Sequence, residues 1–572
     1  MSLTAFPLGG DGPLVAASAR GWWLRATLVA VVYAVAGAVL ILTEYGPFAI
    51  VLSFLTLALL IFTGIAIFGR PGIAAALPLA LIATLIALSQ FKYGILQLTL
   101  TFLDFLIIDS DTVSFMNSVF PSLRGQVALA ALLSIPVLCL IWRLDPFRIR
   151  RLTALAGAVA SLAAIAALSV AVPEQPWEPF QGVNHISNLA RSGVASASQL
   201  ASGGWLEAAA KSPGETPMPA ASAGCAASAR RPHIIMLLDE SSFDIRSAPG
   251  IKVPAGYSDL FKSIDGQQRR FVAEATGGPT WYTEFNVLSG LSVRSFGKMK
   301  FYVTRIAAGR IARGLPRALR HCGYQTFSLY PTYGNFLDAR EYQHSTGIDR
   351  LIDMAEMGVT EDMQPDKFYF DQARGLIARE RQKEGPLFAF VYLTANHFPW
   401  TSVYRPDLTP DWQAPGNTPE IDEYIRRQMM TAQAYKEFVA RLRSDFPDDS
   451  FLIVRFGDHQ PAISHKLIEP RLAPRELAER LMTYDPRYYA TYYAIDAINF
   501  EPVKSPVVMD TVDAAYLPLV IQEAAGIPLD PSFEEQKKIM LRCKGLFYGC
   551  KDGAEARRFN RLLIDAGIIK YL

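Results

Sequence analysis

Neither sign of charge is in surplus in this 572-residue chain: 55 Lys and Arg stand against 53 Asp and Glu, a net charge of +2. A nucleic-acid binder needs a concentrated basic surface, so the composition argues against that class. Cysteine is scarce, five in all, with no CxxC pair and no Cys/His cluster of zinc-finger spacing. There are only seven histidines. No internal repeat is found, and at this length a single compact core is not expected.

What the chain has in plenty is apolar sequence, 51% of it, and almost all of the excess precedes residue 173. Five segments there, about 24–43, 47–68, 73–90, 126–143 and 152–172, reach the roughly 20 apolar residues that a bilayer crossing takes. Trp22 and Trp23 before the first suit a membrane interface. That segment is too long for a cleaved signal peptide, and further spans follow it directly. Counting alternate loops, Arg20, Arg25, Arg70, Arg143, Arg148, Arg150 and Arg151 all fall on the N-terminal side, which the positive-inside rule makes cytoplasmic. The opposite loops carry Lys92 and Arg124, offset by Asp104, Asp109 and Asp111. Five crossings then put everything after residue 173 outside the cytoplasm. The 91–125 loop mixes apolar and acidic residues and reads as lying along the outer interface.

The expected organisation is a transmembrane domain over 1–172, a linker or partly helical stalk over 173–232, and a soluble domain over 233–572. Cys543 and Cys550 flank "KGLFYG", a spacing compatible with a short disulfide loop in an oxidising compartment. Cys225 and Cys322 read equally as free or paired.

In the soluble domain, short runs rich in Ile, Val, Leu and Phe alternate with amphipathic helical stretches. This is the pattern of an α/β fold with a largely parallel buried sheet. Ligands of such sheets bind beyond the carboxyl ends of the strands. There, "HIIMLLDESSFD" delivers Asp239 and Glu240, and "RFVAEATGGPT" leads to Thr280. "PLFAFVYLTANHFPW" delivers Asn396 and His397, and "SFLIVRFGDHQP" delivers Asp458 and His459. Singly, Asp and Asn after a strand are turn formers; together the residues form a set of oxygen and imidazole donors that suits Mn²⁺, Mg²⁺ or Zn²⁺. A threonine hydroxyl is a weak nucleophile, and a bound cation would lower its pKa. Thr280 also opens an apparent helix, where a phosphate is favoured. Locally it reads equally as an N-cap, although Thr283 holds the place where a capping box wants Glu or Gln.

At "LLDESSFD", "GGPTWYTEF", "TANHFPW" and "FGDHQP" the domain resembles the alkaline phosphatase/sulfatase superfamily. Within it, the chain looks most like the membrane-anchored lipoteichoic acid synthase and phosphoglycerol transferase group, with phosphoethanolamine transferases as cousins. The resemblance implies a five-helix transmembrane bundle followed by a sulfatase-like α/β domain outside the inner membrane. It implies Glu240, Thr280, Asp458 and His459 as metal ligands, with Thr280 also the nucleophile and Asp239 an additional ligand. His397 would contact substrate phosphate or protonate the leaving group, and Arg340 would contact phosphate. One divalent ion, or two, is implied, along with a phosphatidylglycerol or phosphatidylethanolamine donor and a glycan or lipid acceptor. "TWYTE" lacks the Cys/Ser-x-Pro-x-Arg motif of true sulfatases, so sulfate-ester hydrolysis is not expected. After "YPTYGNF", relatives tend to place Trp and Arg; this chain has Leu337, and Arg340 is offset by about one position. The rival readings are a phosphodiesterase or phosphatase with the same site, and a non-catalytic sensor or scaffold.

Overall fold

In the computed structural model the five apolar stretches are helices, because lipid-length apolar runs can satisfy their backbone groups only within themselves. They are α1 (Pro13–Thr43), α2 (Pro47–Phe68), α3 (Pro71–Leu96), α4 (Ser122–Leu144) and α5 (Arg151–Ala171). All five are long and apolar enough to cross a membrane. The structure describes residues 13–96, 98–106, 113, 116, 120, 122–175, 178–202, 204–211, 218, 225, 231–359, 363–381 and 385–570. Most of the 107–121 part of the interfacial loop, and most of 212–230 in the stalk, lie outside them.

The chain divides into two compact units, Met1–Leu106 with Phe120–Ser198, and Ile107–Val119 with Gln199–Leu572. The first holds the spans and most of a sixth helix, α6 (His185–Ser202), from the stretch read as a stalk. Glu44, just past α1, fastens the start of α6. Its carboxylate accepts from the Ile186 and Ser187 amides at 2.7 and 3.3 Å and from the Ser187 hydroxyl at 2.6 Å. An anion so placed satisfies N–H groups that the helix itself leaves unpaired. Nearby in the same unit, the Lys92 ammonium donates to the Asp104 carboxylate at 2.7 Å.

The second unit is built on one eight-stranded sheet. Its strands are β1 (His233–Asp239), β2 (Arg269–Val272), β3 (Gln325–Leu329), β4 (Arg350–Ile352), β5 (Leu387–Tyr392), β6 (Phe451–Gly457), β7 (Ala490–Ile498) and β8 (Thr511–Asp513). The order is β4-β3-β5-β1-β6-β7-β2-β8, and only β7 runs against its neighbours. The central strands β1, β5 and β6 are buried along nearly their whole length, which is why they read as unbroken apolar runs. Ile235 and Leu237 of β1 pack against Tyr369, Phe370, Ala373 and Leu376 of α8 (Asp366–Glu380), and against Ala434, Phe438 and Leu442 of α9 (Pro419–Asp445). Side chains alternate along a strand, so Asp239 follows these residues to the same face and Glu240 does not. β1, β2, β5 and β6 run in one direction, and their carboxyl ends share one edge of the sheet.

Cys543 pairs with Cys550 and Cys225 with Cys322. Cys139 of α4 is free.

Candidate active site

β6 can end beside β1 only because residue 457 is glycine. A Cβ there would sit 1.7 Å from the Ser242 carbonyl oxygen. The close approach puts Asp458 under the β1 turn, where its Oδ1 accepts from the Ser241 amide at 2.7 Å and the His459 amide at 2.8 Å. Ser241 takes φ 51°, a left-handed conformation uncommon for a residue with a side chain. Its carbonyl accepts from the Tyr424 hydroxyl at 2.7 Å.

Thr280 arrives from β2 through "ATGGPT". Gly277 has φ +78°, a region that costs a side chain strain, and its amide donates to the Gln460 carbonyl at 2.8 Å. α7 (Thr280–Ser289) begins at Thr280 itself, with Pro279 in the N-cap position and no side-chain cap. The Thr280 hydroxyl is therefore not spent on the helix; it donates to Glu240 Oε2 at 3.2 Å. One turn on, the buried Thr283 hydroxyl donates to the Asp458 carbonyl at 2.6 Å and locks α7 to the end of β6.

Glu240, Asp458 and His459 are buried, and their candidate ligand atoms lie within 4.8 Å of one another. His459 Nδ1 faces the Gln460 carbonyl at 3.0 Å and must donate to it, which turns Nε2 toward the carboxylates. Nε2 stands 3.4 Å from Asp458 Oδ2 and 3.5 Å from Glu240 Oε1, and among the described residues neither Nε2 nor Oδ2 has a hydrogen-bond partner. Burial and the charge of Glu240 push the Asp458 carboxyl up to about 8. Burial opposes charging of His459, but the two carboxylates outweigh it and lift the imidazole to about 9. Burial likewise opposes ionisation of Glu240, yet His459 and the charge of His397 hold its carboxyl down at about 2. The cluster thus holds more negative charge than its burial tolerates, and two buried donor atoms are left unsatisfied. Both features fit a divalent cation bound by two carboxylate oxygens and a neutral imidazole.

His397 is half-buried at the end of the β5 segment, close enough for its charge to act on Glu240. Its Nδ1 faces the Phe398 carbonyl at 2.8 Å, and among the described residues Nε2 makes no hydrogen bond. The loop is clamped from both sides. Asp366 accepts from the Thr394 and Ala395 amides, each at 2.9 Å. The buried Arg427 guanidinium donates to the His397, Pro399 and Ser402 carbonyls, and Glu423 holds it at 2.6 Å.

Two of the expected residues stand apart from this group. Asp239 points to the opposite face of the sheet, where Tyr492 donates to its Oδ2 at 2.6 Å and burial lifts its carboxyl to about 7. Arg340 spends its guanidinium on the Leu351 carbonyl at 2.8 Å, Asp353 at 2.8 Å and Glu356 at 3.2 Å. Those contacts fasten the loop after β4, and none joins it to Glu240, Thr280, Asp458 or His459. One residue had no signal in the sequence. His465 Nε2 donates at 2.7 Å to Thr276, whose hydroxyl in turn donates to the Tyr488 carbonyl at 2.9 Å, and so tethers the loop that carries Thr280. Burial and the charge of His459 push His465 down to about 4, so it stays neutral.

Residues 267–488 match the sulfatase family model. The match lies within the second unit, whose α/β fold is sulfatase-like. The match takes in Thr280, His397, Asp458 and His459, while Glu240 precedes it. Lipoteichoic acid synthase of Staphylococcus saprophyticus is 24% identical over 195 residues, 33% of this chain and 29% of that protein's own length. Among solved structures, the phosphoglycerol transferase GacH of Streptococcus pyogenes, in complex with sn-glycerol-1-phosphate, is 15% identical with a TM-score of 0.45. That similarity covers 59% of this chain and 85% of the other. The integral membrane lipooligosaccharide phosphoethanolamine transferase A of Neisseria meningitidis is 11% identical with a TM-score of 0.42, covering 74% of this chain and 80% of the other.

Glu284, buried in α7 of the second unit, carries a stability prediction. Burial lifts its carboxyl from an ordinary 4.5 to about 7, partly offset by the Gln343 amide that donates at 2.9 Å. A carboxyl raised by folding contributes its full stability below the ordinary pKa and loses it as pH rises toward 7. The accumulated penalty is about 3 kcal/mol at pH 8, at about 1.4 kcal/mol per pKa unit. Glu284→Gln keeps an acceptor for Gln343 and removes the charge. Thermal unfolding in detergent should show the variant more stable than the parent at pH 8 and close to it at pH 5; an equal gap at both would refute the assignment.

Proposed function

We propose that the chain is a metal-dependent phosphotransferase of the outer face of the cytoplasmic membrane. It would move a phospholipid headgroup, phosphoglycerol or phosphoethanolamine, to a hydroxyl of an envelope glycan or lipid. The observation that carries the reading is the Thr280 hydroxyl at a helix start, 3.2 Å from Glu240 and beside the unsatisfied Asp458 and His459 donors.

Glu240, Asp458 and His459, with Thr280 alongside, would hold a Mn²⁺, Mg²⁺ or Zn²⁺ ion. Bound there, the ion supplies Lewis acidity that lowers the pKa of the threonine hydroxyl. Thr280 Oγ attacks the headgroup phosphorus in line, and Glu240 Oε2 is the acceptor in place for its proton. The phosphorus–oxygen bond to diacylglycerol breaks, and His397 Nε2 protonates the departing alkoxide. An acceptor hydroxyl then attacks the phosphothreonine and its proton passes to His397; the bond between phosphorus and Thr280 Oγ breaks, and Glu240 returns its proton to the hydroxyl. Amide groups at the α7 start stabilise the charge that builds on phosphorus in both steps. The spans keep the site with a donor that never leaves the bilayer, which raises effective concentration. The two disulfides accord with an extracytoplasmic location for this unit.

Intact-mass and peptide mass spectrometry of protein incubated with phosphatidylglycerol or phosphatidylethanolamine tests the reading. A phosphoglycerol or phosphoethanolamine adduct on Thr280, discharged when acceptor is added, is expected. Headgroup phosphate released to water in the presence of acceptor, with no transferred product, would make the protein a hydrolase instead.

A further inference from the structure

A cavity of about 1090 Å³ opens over the β7–β2–β8 edge of the sheet, and none of Glu240, Thr280, His397, Asp458 and His459 lines it. It shares walls with the site. Gln460, which follows His459, lines it, and so does Glu274, at the start of the loop that ends at Thr280. Pockets for small ligands run to roughly 300–1,000 Å³, so this one has room for several sugar rings.

Its charges are unevenly spent. Among the described residues, the guanidiniums of Arg270 and Arg294 donate no side-chain hydrogen bond and join no ion pair. Arg294 lies between two rings, 3.8 Å from the centroid of Tyr484 and 4.4 Å from that of Tyr548, an arrangement that fixes the plane and leaves the N–H edge unengaged. Arg270 is exposed on β2. The lining acids are mostly taken: Asp244 by Arg246 at 2.9 Å, Glu274 by Asn286 at 2.8 Å and the Val293 amide at 2.6 Å, and Asp513 by the Phe547 amide. Asp552 is left against two free guanidiniums. Tyr484 and Tyr489, with ring centroids 4.9 Å apart, add aromatic surface to the same wall. Free guanidiniums select an anion and hydroxyl groups; aromatic faces take the apolar C–H face of a sugar ring.

We propose that this cavity binds the acceptor, and that the acceptor is a saccharide bearing an anionic group. The assignment rests on the phosphotransferase reading. Saturation-transfer NMR on the full chain in detergent micelles tests it, with glucose 6-phosphate, glucose and sn-glycerol 3-phosphate as probes. Glucose 6-phosphate should give the strongest transfer, reduced at least fivefold in the double variant Arg270→Gln/Arg294→Gln and in Tyr484→Ala. Cleavage of labelled phosphatidylglycerol with water as acceptor should stay unchanged in the double variant, which also reports that it is folded.

No transfer to glucose 6-phosphate at millimolar concentration, or transfer indifferent to the double variant, overturns the saccharide site and leaves the transferase reading standing. Equal transfer to glycerol 3-phosphate overturns the saccharide and points to a lipid headgroup. Arginine-dependent sugar binding in a protein whose lipid cleavage survives Thr280→Ala overturns the acceptor role and the transferase reading together.

Discussion

Thr280→Ala is expected to lower headgroup transfer by about four orders of magnitude or more while leaving the protein folded. Losses of that order follow removal of a nucleophile on which the other catalytic groups act as a unit. The structural cost is small, because the hydroxyl gives up one hydrogen bond at 3.2 Å and a marginal one at 3.5 Å to Gly278. A single such bond contributes about 1 kcal/mol. Alanine is also at ease in a first helical turn, and no cap is lost because Thr280 does not serve as one. Thr280→Ser keeps an attacking oxygen without the methyl group and should retain measurable transfer. Labelled-lipid turnover, read beside thermal unfolding of the same preparations, gives both results at once. Full turnover by a folded Thr280→Ala protein would end the covalent mechanism.

Much of this site is legible in the chain because a parallel sheet concentrates function at one edge. Glu240, Thr280, His397, Asp458 and His459 all lie just past the carboxyl end of an apolar run, and the topology brings the carboxyl ends of β1, β2, β5 and β6 to that edge. Asp239 shows a physical rule that the motif obscures. It is adjacent to Glu240 in sequence, yet strand alternation sends it to the α8 and α9 face and into the arms of Tyr492. Arg340 shows where motif offsets run out: an arginine near a strand end serves phosphate or acids alike, and here Asp353 and Glu356 take it. The supporting contacts are not legible at all. His465 meets Thr276 across 189 residues, and Arg427 meets the His397 carbonyl across 30, with no periodicity to announce either. Whether Thr280 caps the helix is not legible either, since it turns on whether the helix begins at residue 280 or after it.

Chelation is expected to act on stability as well as on turnover. Among the described residues, Asp458 Oδ2 and His459 Nε2 are buried without hydrogen-bond partners, and such orphans cost about 1–3 kcal/mol each, more when charged. A cation that satisfies both, along with Glu240, binds the folded chain and not the unfolded one. At a free concentration a thousandfold above its dissociation constant, it stabilises the fold by about 4 kcal/mol. Stripping the metal should therefore lower the thermal midpoint of the second unit by several degrees, and adding Mn²⁺, Mg²⁺ or Zn²⁺ back in turn should restore it to different extents. Asp458→Asn supplies the control. It keeps an Oδ1 acceptor for the Ser241 and His459 amides, which lie 2.7 and 2.8 Å away, but removes a charged ligand. This variant should melt near the stripped parent and respond to neither chelator nor metal. A parent indifferent to chelation, with no metal found by elemental analysis after careful purification, would leave the Glu240–Asp458–His459 cluster as a hydrogen-bonded prop and would revive the non-catalytic reading. A parent that responds while Asp458→Asn does not ties the metal to the residues that flank Thr280, and so to the hydroxyl whose reactivity the mechanism requires.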